Sequence, residues 1–410
     1  MKLLVLSNGH GEDAIAIRII ERLQVNIAEL EIAALPIVGQ GYAYTKLGIP
    51  LVARVQQMPS GGFIYKGGNP LWQDLRGGLV KLTIEQFKSI RQWGKAGGKI
   101  LAVGDIVPLL YAWRSKANYA FVGTAKSEYY LRDEFGWLPQ TSRLERKFDS
   151  VYLPWERWLM AHPRCQAVFP RDSLTTEILQ RWEIPAYDLG NPMMDGITTK
   201  TAARKESQLD ILLLPGSRMP EALNNWQQIL LAVWWTIKAL SQMQLEFKAA
   251  IAPGIDLKSF VVHAATQGWR VCFSESETVV LKNDGRSLTL TQAHNQEYFD
   301  ATDIAIAMAG TATEQFVGLG KPVVIFPGIG PQFTPAFAEA QSRLLGCSIV
   351  MVENPTQAGK AIAKTIGDES LLAQIAINGK RRMGETGAAE RIAACLQTNL
   401  LAADSSKSDA

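Results

Sequence analysis

The stretch Lys2–Leu23, "KLLVLSNGHGEDAIAIRIIERL", decides the fold class. "KLLVL" is an apolar run of strand length, "SNGHGED" is a glycine turn, and "AIAIRIIERL" carries apolar residues at helical spacing, so strand, turn and helix follow in order. The spacing Gly9-x-Gly11-x-x-Ala14 fits a dinucleotide site, in which the backbone approaches a pyrophosphate at a helix N-terminus. Glu12 and Asp13 stand where those phosphates would lie, and like charges at that range repel. The acidic residue expected after the second strand is also missing, because Glu29 and Glu31 precede "IAAL". The turn therefore suits a different ligand, and an oxidoreductase reading fails on it.

The same alternation runs on through "KILAV", "NYAFV", "QAVF" and "AYDL" to a break at Gly190-Asn191-Pro192, followed by the polar linker "TTKTAARKESQ". It resumes in "LDILLLPGSR", "FKAAIAPG", "TDIAIAMAG" and "KPVVIFPG". The fold class expected is α/β, with two Rossmann-like, doubly wound parallel-sheet domains over residues 1–195 and 208–370 facing a cleft. With 410 residues, 47% of them hydrophobic, the chain can fill two cores. No run of eighteen apolar residues and no signal-peptide pattern occurs, which points to a cytoplasmic protein. Cys165, Cys272, Cys347 and Cys395 lie too far apart for a zinc site or a disulfide framework. The tail "LAADSSKSDA" reads as frayed.

The net charge of +3 is uneven. Between Lys66 and Lys126 ten basic residues face only Asp74, Glu85 and Asp105, with Trp72, Trp93 and Trp113 among them. Basic side chains interleaved with tryptophan suit an anionic membrane surface, and equally a solvated basic helix face over core rings. No nucleic-acid partner is expected.

In open parallel sheets ligands bind beyond the carboxyl ends of the strands, so the first residues after each strand carry the chemistry. Gly216, Ser217 and Arg218 offer a close backbone approach, a hydroxyl and a fork suited to phosphate. Gly310, Thr311, Ala312 and Thr313 offer free N–H groups at a helix N-terminus, favourable for a diphosphate. Thr311-x-x-Glu314 also spells a capping box, which accounts for Thr311 and Glu314 but not for Gly310 or Thr313. If the loop holds a nucleotide, Glu314 would accept from a ribose diol. No D-x-D occurs, so no carboxylate pair is at hand for a metal-bridged diphosphate, and no metal or other cofactor is expected. For a general base the candidates are Asp105, directly after "KILAVG", and His10 and Glu12 in the opening loop.

At these residues the chain resembles a known family. "LPGSR", "GTATEQFVGLGKP" and "LGNPMMD" look like the GT-B glycosyltransferases of the lipid-A-disaccharide synthase group, and most of all its branch of lipid-A-disaccharide synthase-related proteins. A more distant likeness runs to muramyl-peptide N-acetylglucosaminyltransferase and monogalactosyl-diacylglycerol synthases. The resemblance implies a UDP-sugar donor held by Gly216, Ser217, Arg218 and Gly310 to Glu314, with Gln332 or Gln341 near the donor sugar. It implies a lipid-linked acceptor in the first domain, near Asn8, Gly9, Gly11 and Asn191, with Asp105 or His10 as base. It also implies that helices over 371–400 cross back to the first domain. The function expected is inverting, metal-independent transfer from a UDP-sugar to a membrane glycolipid, with peripheral contact to the inner membrane face through residues 63–116. The alternatives are a non-hydrolysing UDP-sugar 2-epimerase and a non-catalytic nucleotide-sugar or lipid-binding protein.

Overall fold

The computed structural model describes residues 1–53, 79–197, 207–293, 295–331 and 333–402. The chain divides into two units, Met1–Asp195 with the C-terminal stretch from Glu385, and Gly196–Gly384.

In the first unit, β1 (Lys2–Ser7), β2 (Glu31–Pro36), β3 (Lys99–Gly104) and β4 (Tyr119–Gly123) precede a two-stranded ribbon, β5 (Arg132–Asp133) with β6 (Gly136–Trp137), and then β7 (Cys165–Phe169). The sheet order is β2-β1-β3-β4-β7, parallel throughout. Its strands are buried almost end to end because helices cover both faces, and this is why they read as continuous apolar runs. One face packs against the helices His10–Asn26 and Ala388–Asn399, through Ile15, Ile19, Ile392 and Leu396. The other packs against Leu79–Lys95, Ile106–Arg114 and Pro154–Met160, through Ile90, Leu109 and Leu159. "AYDL" does not become a strand. It makes one parallel bridge, Ala186 to Val168, and the chain then turns toward Gly190.

The return of the chain is narrower than the range 371–400. The helix Glu369–Met383 stays in the second unit, where Asn378 and Arg382 bond to the carbonyls of Leu345, Arg343 and Leu344. Of the two helices, only Ala388–Asn399 joins the first unit. Its N-terminus is held by Asp195, whose carboxylate accepts from Gly387 N (2.7 Å), Ala388 N (2.9 Å) and Ala389 N (2.7 Å). Three orphan amides and the positive end of the helix dipole meet one carboxylate there. The "NPMMD" motif thus acts as a helix anchor.

The second unit carries β8 (Gln208–Leu214), β9 (Gln244–Ala250), β10 (Arg270–Glu275), β11 (Thr278–Asn283), β12 (Arg286–Thr291), β13 (Ile304–Ala307), β14 (Val323–Ile325) and β15 (Ile349–Met351). The order is β10-β11-β12-β9-β8-β13-β14-β15. From β12 to β15 every pairing is parallel, while β10, β11 and β12 are antiparallel. The β11–β12 turn has Asp284 at φ 45° and Gly285 at φ 76°, the positive dihedrals of a two-residue hairpin.

Candidate functional site

In the second unit three loops leave the carboxyl ends of the neighbouring strands β8, β13 and β14, and one side chain ties two of them. Asn225, in the helix Glu221–Ala239, is buried, and its Nδ2 donates to Pro215 O (3.0 Å) and Met308 O (3.4 Å). One turn earlier, the buried Glu221 accepts from Phe333 N at 3.1 Å. Gly328 N in turn donates to Phe333 O at 2.7 Å, so the loop after β14 is closed on the same helix. A Cβ on Gly328 would stand 3.2 Å from Asn225 Oδ1 and 3.0 Å from Phe333 O. Gly216 has φ +100°, and a Cβ there would approach Met308 O to 3.3 Å. Glycine is needed at both positions because backbone comes this close. Neither Glu221 nor Asn225 figures in the sequence reading. Their signal was two polar residues at i and i+4 on a helix face that is otherwise Ala222, Trp226, Ile229 and Leu230.

Ser217 and Arg218 lie exposed in the first of these loops. In the second, the N-cap of the helix Thr311–Gly318 is Gly310, with no side-chain cap bond, so the capping box is not formed. Thr311 is exposed, and Ala312 and Glu314 are half-buried. Thr313 is buried, with its hydroxyl bonded to Ala309 O at 2.7 Å, so what it has to offer a ligand is its backbone amide. Gln341 is likewise buried, and its Nε2 donates to Ala309 O (3.1 Å) and Gly310 O (3.4 Å). It shapes the glycine loop from behind. Gln332 lies outside the described residues. Lys321, the charge in "GKP", sits at the opposite end of the strands. Its Nζ donates to the carbonyls of Phe299 (2.6 Å), Asp300 (2.8 Å) and Thr302 (2.6 Å), and burial lowers it to about 8 against the pull of Asp300 and Asp303. That part of the motif fixes the entry to β13.

In the first unit β1, β3, β4 and β7 place their loops side by side. Of the two opening carboxylates, Asp13 turns inward, which corrects the expectation that the whole loop faces a ligand. It is 1% exposed and accepts from Ser7 Oγ at 2.5 Å, and Ser7 Oγ lies 2.7 Å from Tyr44 Oη. Burial, with the charge of Asp13 behind it, pushes the Tyr44 phenol well up, so this network is a fixed floor. Glu12 stays half-buried at the surface and accepts from Thr124 Oγ1 at 3.3 Å. Thr124 O accepts from Nη1 of the buried Arg171 at 3.3 Å. Thr124 and Arg171 are additions to the sequence reading.

Asp105 caps the helix Ile106–Arg114, accepting from Val107 N at 2.8 Å. Asn8 Oδ1 is buried with no hydrogen-bond partner among the described residues, and a Cβ on Gly104 (φ +138°) would overlap it. Gly9 is the N-cap of the first helix and Gly11 is exposed in its first turn. The side chain of His10 is outside the described residues. Asn191 is buried and caps its own short turn, accepting from Met193 N at 3.0 Å. Among the described residues no group of three or more His, Cys, Asp or Glu could hold a metal ion, and no helix is long and apolar enough to cross a membrane.

No protein-family model matches the chain, and no curated protein matches it in sequence. Solved structures do match over nearly its whole length. MurG of Acinetobacter baumannii has a TM-score of 0.56 at 13% identity, over 97% of this chain and 99% of that one. CalG4, the calicheamicin glycosyltransferase, has 0.59 at 12%, over 97% and 98%. The fold is of the GT-B type. UDP-GlcNAc 2-epimerase of Neisseria meningitidis, solved with UDP-GlcNAc, matches in the same way, at 0.54 and 14%, over 97% and 100%. The GT-B likeness thus spans both glycosyltransferases and epimerases.

Proposed function

We propose that the chain transfers a hexose or N-acetylhexosamine from a UDP-sugar to a lipid-linked acceptor, with inversion and without a metal. What supports a UDP-sugar is the pair of loops pinned by Asn225. Gly216 to Arg218 and the uncapped amides after Gly310 leave neighbouring strands, and together they offer N–H donors, a helix dipole and a guanidinium to a diphosphate. Glu314 takes the ribose diol. In the first unit the base is Glu12, one oxygen of which Thr124 orients. Asp105 and His10 are the other candidates, and Asn8, Gly9 and Gly11 line the acceptor side.

Calorimetric titration with UDP in EDTA tests the donor site. Micromolar binding weakened about tenfold or more, roughly 1.4 kcal/mol, by Arg218→Ala supports the reading, and binding indifferent to that change removes it.

The 2-epimerase reading stands beside this one because epimerases are among the structures that match. Incubation with UDP-GlcNAc in D2O separates them. Epimerisation at C2 breaks and remakes a C–H bond and leaves deuterium there, whereas transfer leaves C2 unlabelled.

A membrane-borne acceptor is supported by the outer surface of the helices Leu79–Lys95, Ile106–Arg114 and Pro154–Met160. Trp155 (57% exposed), Trp158 (55%), Leu110 and Ile84 stand out from it beside the exposed Lys88, Arg91, Lys95 and Arg114. Trp158 also packs edge-on against Trp113, ring centroids 5.4 Å apart. Of the expected segment 63–116, residues 63–78 lie outside the described residues. Co-sedimentation with anionic vesicles is expected to fall about tenfold for Trp155→Ala/Trp158→Ala and to persist with neutral vesicles only weakly. Equal binding by the variant would detach this surface from the membrane.

A further inference from the structure

The second unit ends in a strand that nothing in the proposed reaction uses. β10 is one of the two edge strands of the eight, and all six of its residues are exposed, Val271 at 51% and Phe273 at 47%. It contains neither proline nor glycine, and an apolar edge of this kind is a template for pairing.

Its charges are arranged unusually. Residues five apart on a regular strand point to opposite faces. Here the register with β11 runs Arg270↔Lys282, Val271↔Leu281, then Phe273↔Val280, Ser274↔Val279 and Glu275↔Thr278, with a bulge between Val271 and Phe273. Lys282, Val280 and Thr278 share one face of β11, so the bulge brings Arg270 and Glu275 onto that same face. Arg270 also lies directly opposite Lys282, a like-charge pairing that costs stability, and neither side chain has an ion-pair or hydrogen-bond partner among the described residues.

We propose that β10 pairs antiparallel with β10 of a second copy of this chain, about a twofold axis near Cys272 and Phe273. Arg270 of each copy then faces Glu275 of the other, Val271 faces Ser274, and the two sheets join into one. The twofold forms the ion pair twice, and each relieves an Arg270–Lys282 repulsion. The paired area is small, so the dimer is weak and concentration-dependent. This inference is independent of the sugar chemistry proposed above.

The test is sedimentation velocity on the full chain from about 1 to about 100 µM, where a micromolar dimer passes from minor to dominant species. Arg270→Glu and Glu275→Arg should each weaken dimerisation about tenfold or more, by setting like charges opposite each other across the axis. The double variant Arg270→Glu/Glu275→Arg should return to within about threefold of the starting protein, because the pairs are then re-formed with their signs exchanged. Both positions are exposed at the edge, so the variants keep their fold, which far-UV dichroism checks. A monomer at every concentration would assign the bulge to the opposite role, keeping the edge from pairing, and overturn the proposal. So would a dimer indifferent to the single changes, or one that the double variant does not restore.

Discussion

Glu12→Gln is expected to lower acceptor-dependent release of UDP from UDP-GlcNAc, measured with native membrane lipid extract, by about 10²–10⁴-fold. UDP affinity should stay within about threefold, because the carboxylate is proposed to act on the acceptor proton and not on the diphosphate. The substitution keeps the shape of the side chain, its contact with Thr124 Oγ1 and its place in the first turn of the helix His10–Asn26. What it removes is the ability to take a proton. Asp105 needs a different comparison, since its carboxylate caps a helix. Asp105→Ala would cost about 1 kcal/mol through the cap alone, whereas Asp105→Asn caps about as well and loses only the charge. A large loss of rate in Asp105→Asn at unchanged Tm, with Glu12→Gln near normal, would move the base from Glu12 to Asp105. Thr124→Val should follow Glu12→Gln with a smaller loss, as an orienting group does.

Much of the strand framework was legible in the sequence. β1, β3, β4, β8 and β13 are continuous apolar runs because both faces of a parallel sheet are covered, and their ends gave Gly104, Asp105, Gly216 and Gly310 directly. "AYDL" has strand composition but makes only one bridge, and composition carries no information about which neighbour has room. The β11–β12 hairpin was written in "LKNDGRSLTL", where Asp284-Gly285 supplies the turn, yet the expectation of strictly alternating strands and helices passed over it. The direction of a side chain was the hardest feature to read. Glu12 and Asp13 are adjacent and chemically alike, but the helix turns one to the surface and the other under Ser7. Thr311-x-x-Glu314 has the capping-box letters. The chain enters that helix one residue earlier, at Gly310, where Gln341 and Thr313 already hold the Ala309 carbonyl. Asn225 could be named only once two distant loops were seen to end on it.

Asn225→Leu is expected to weaken UDP binding by about tenfold or more and to destabilise the second unit by about 2–4 kcal/mol. Leucine fills nearly the same volume, so the effect comes from hydrogen bonding rather than from a cavity. The carbonyls of Pro215 and Met308 are turned toward one buried amide, and an apolar side chain leaves both without a donor. Their loops then lose the link that fixes the distance between Gly216 and the amides after Gly310. The contrast with Arg218→Ala isolates the argument. Arg218 is exposed, so its removal should lower UDP affinity and leave the melting temperature almost unchanged. Asn225→Leu should lower both. If UDP affinity survives in Asn225→Leu while stability falls, the two loops do not grip the diphosphate together, and the donor must be sought elsewhere on the sheet. If both fall while Arg218→Ala costs only affinity, then a preorganised pair of loops, with the guanidinium added at their rim, is what binds the nucleotide.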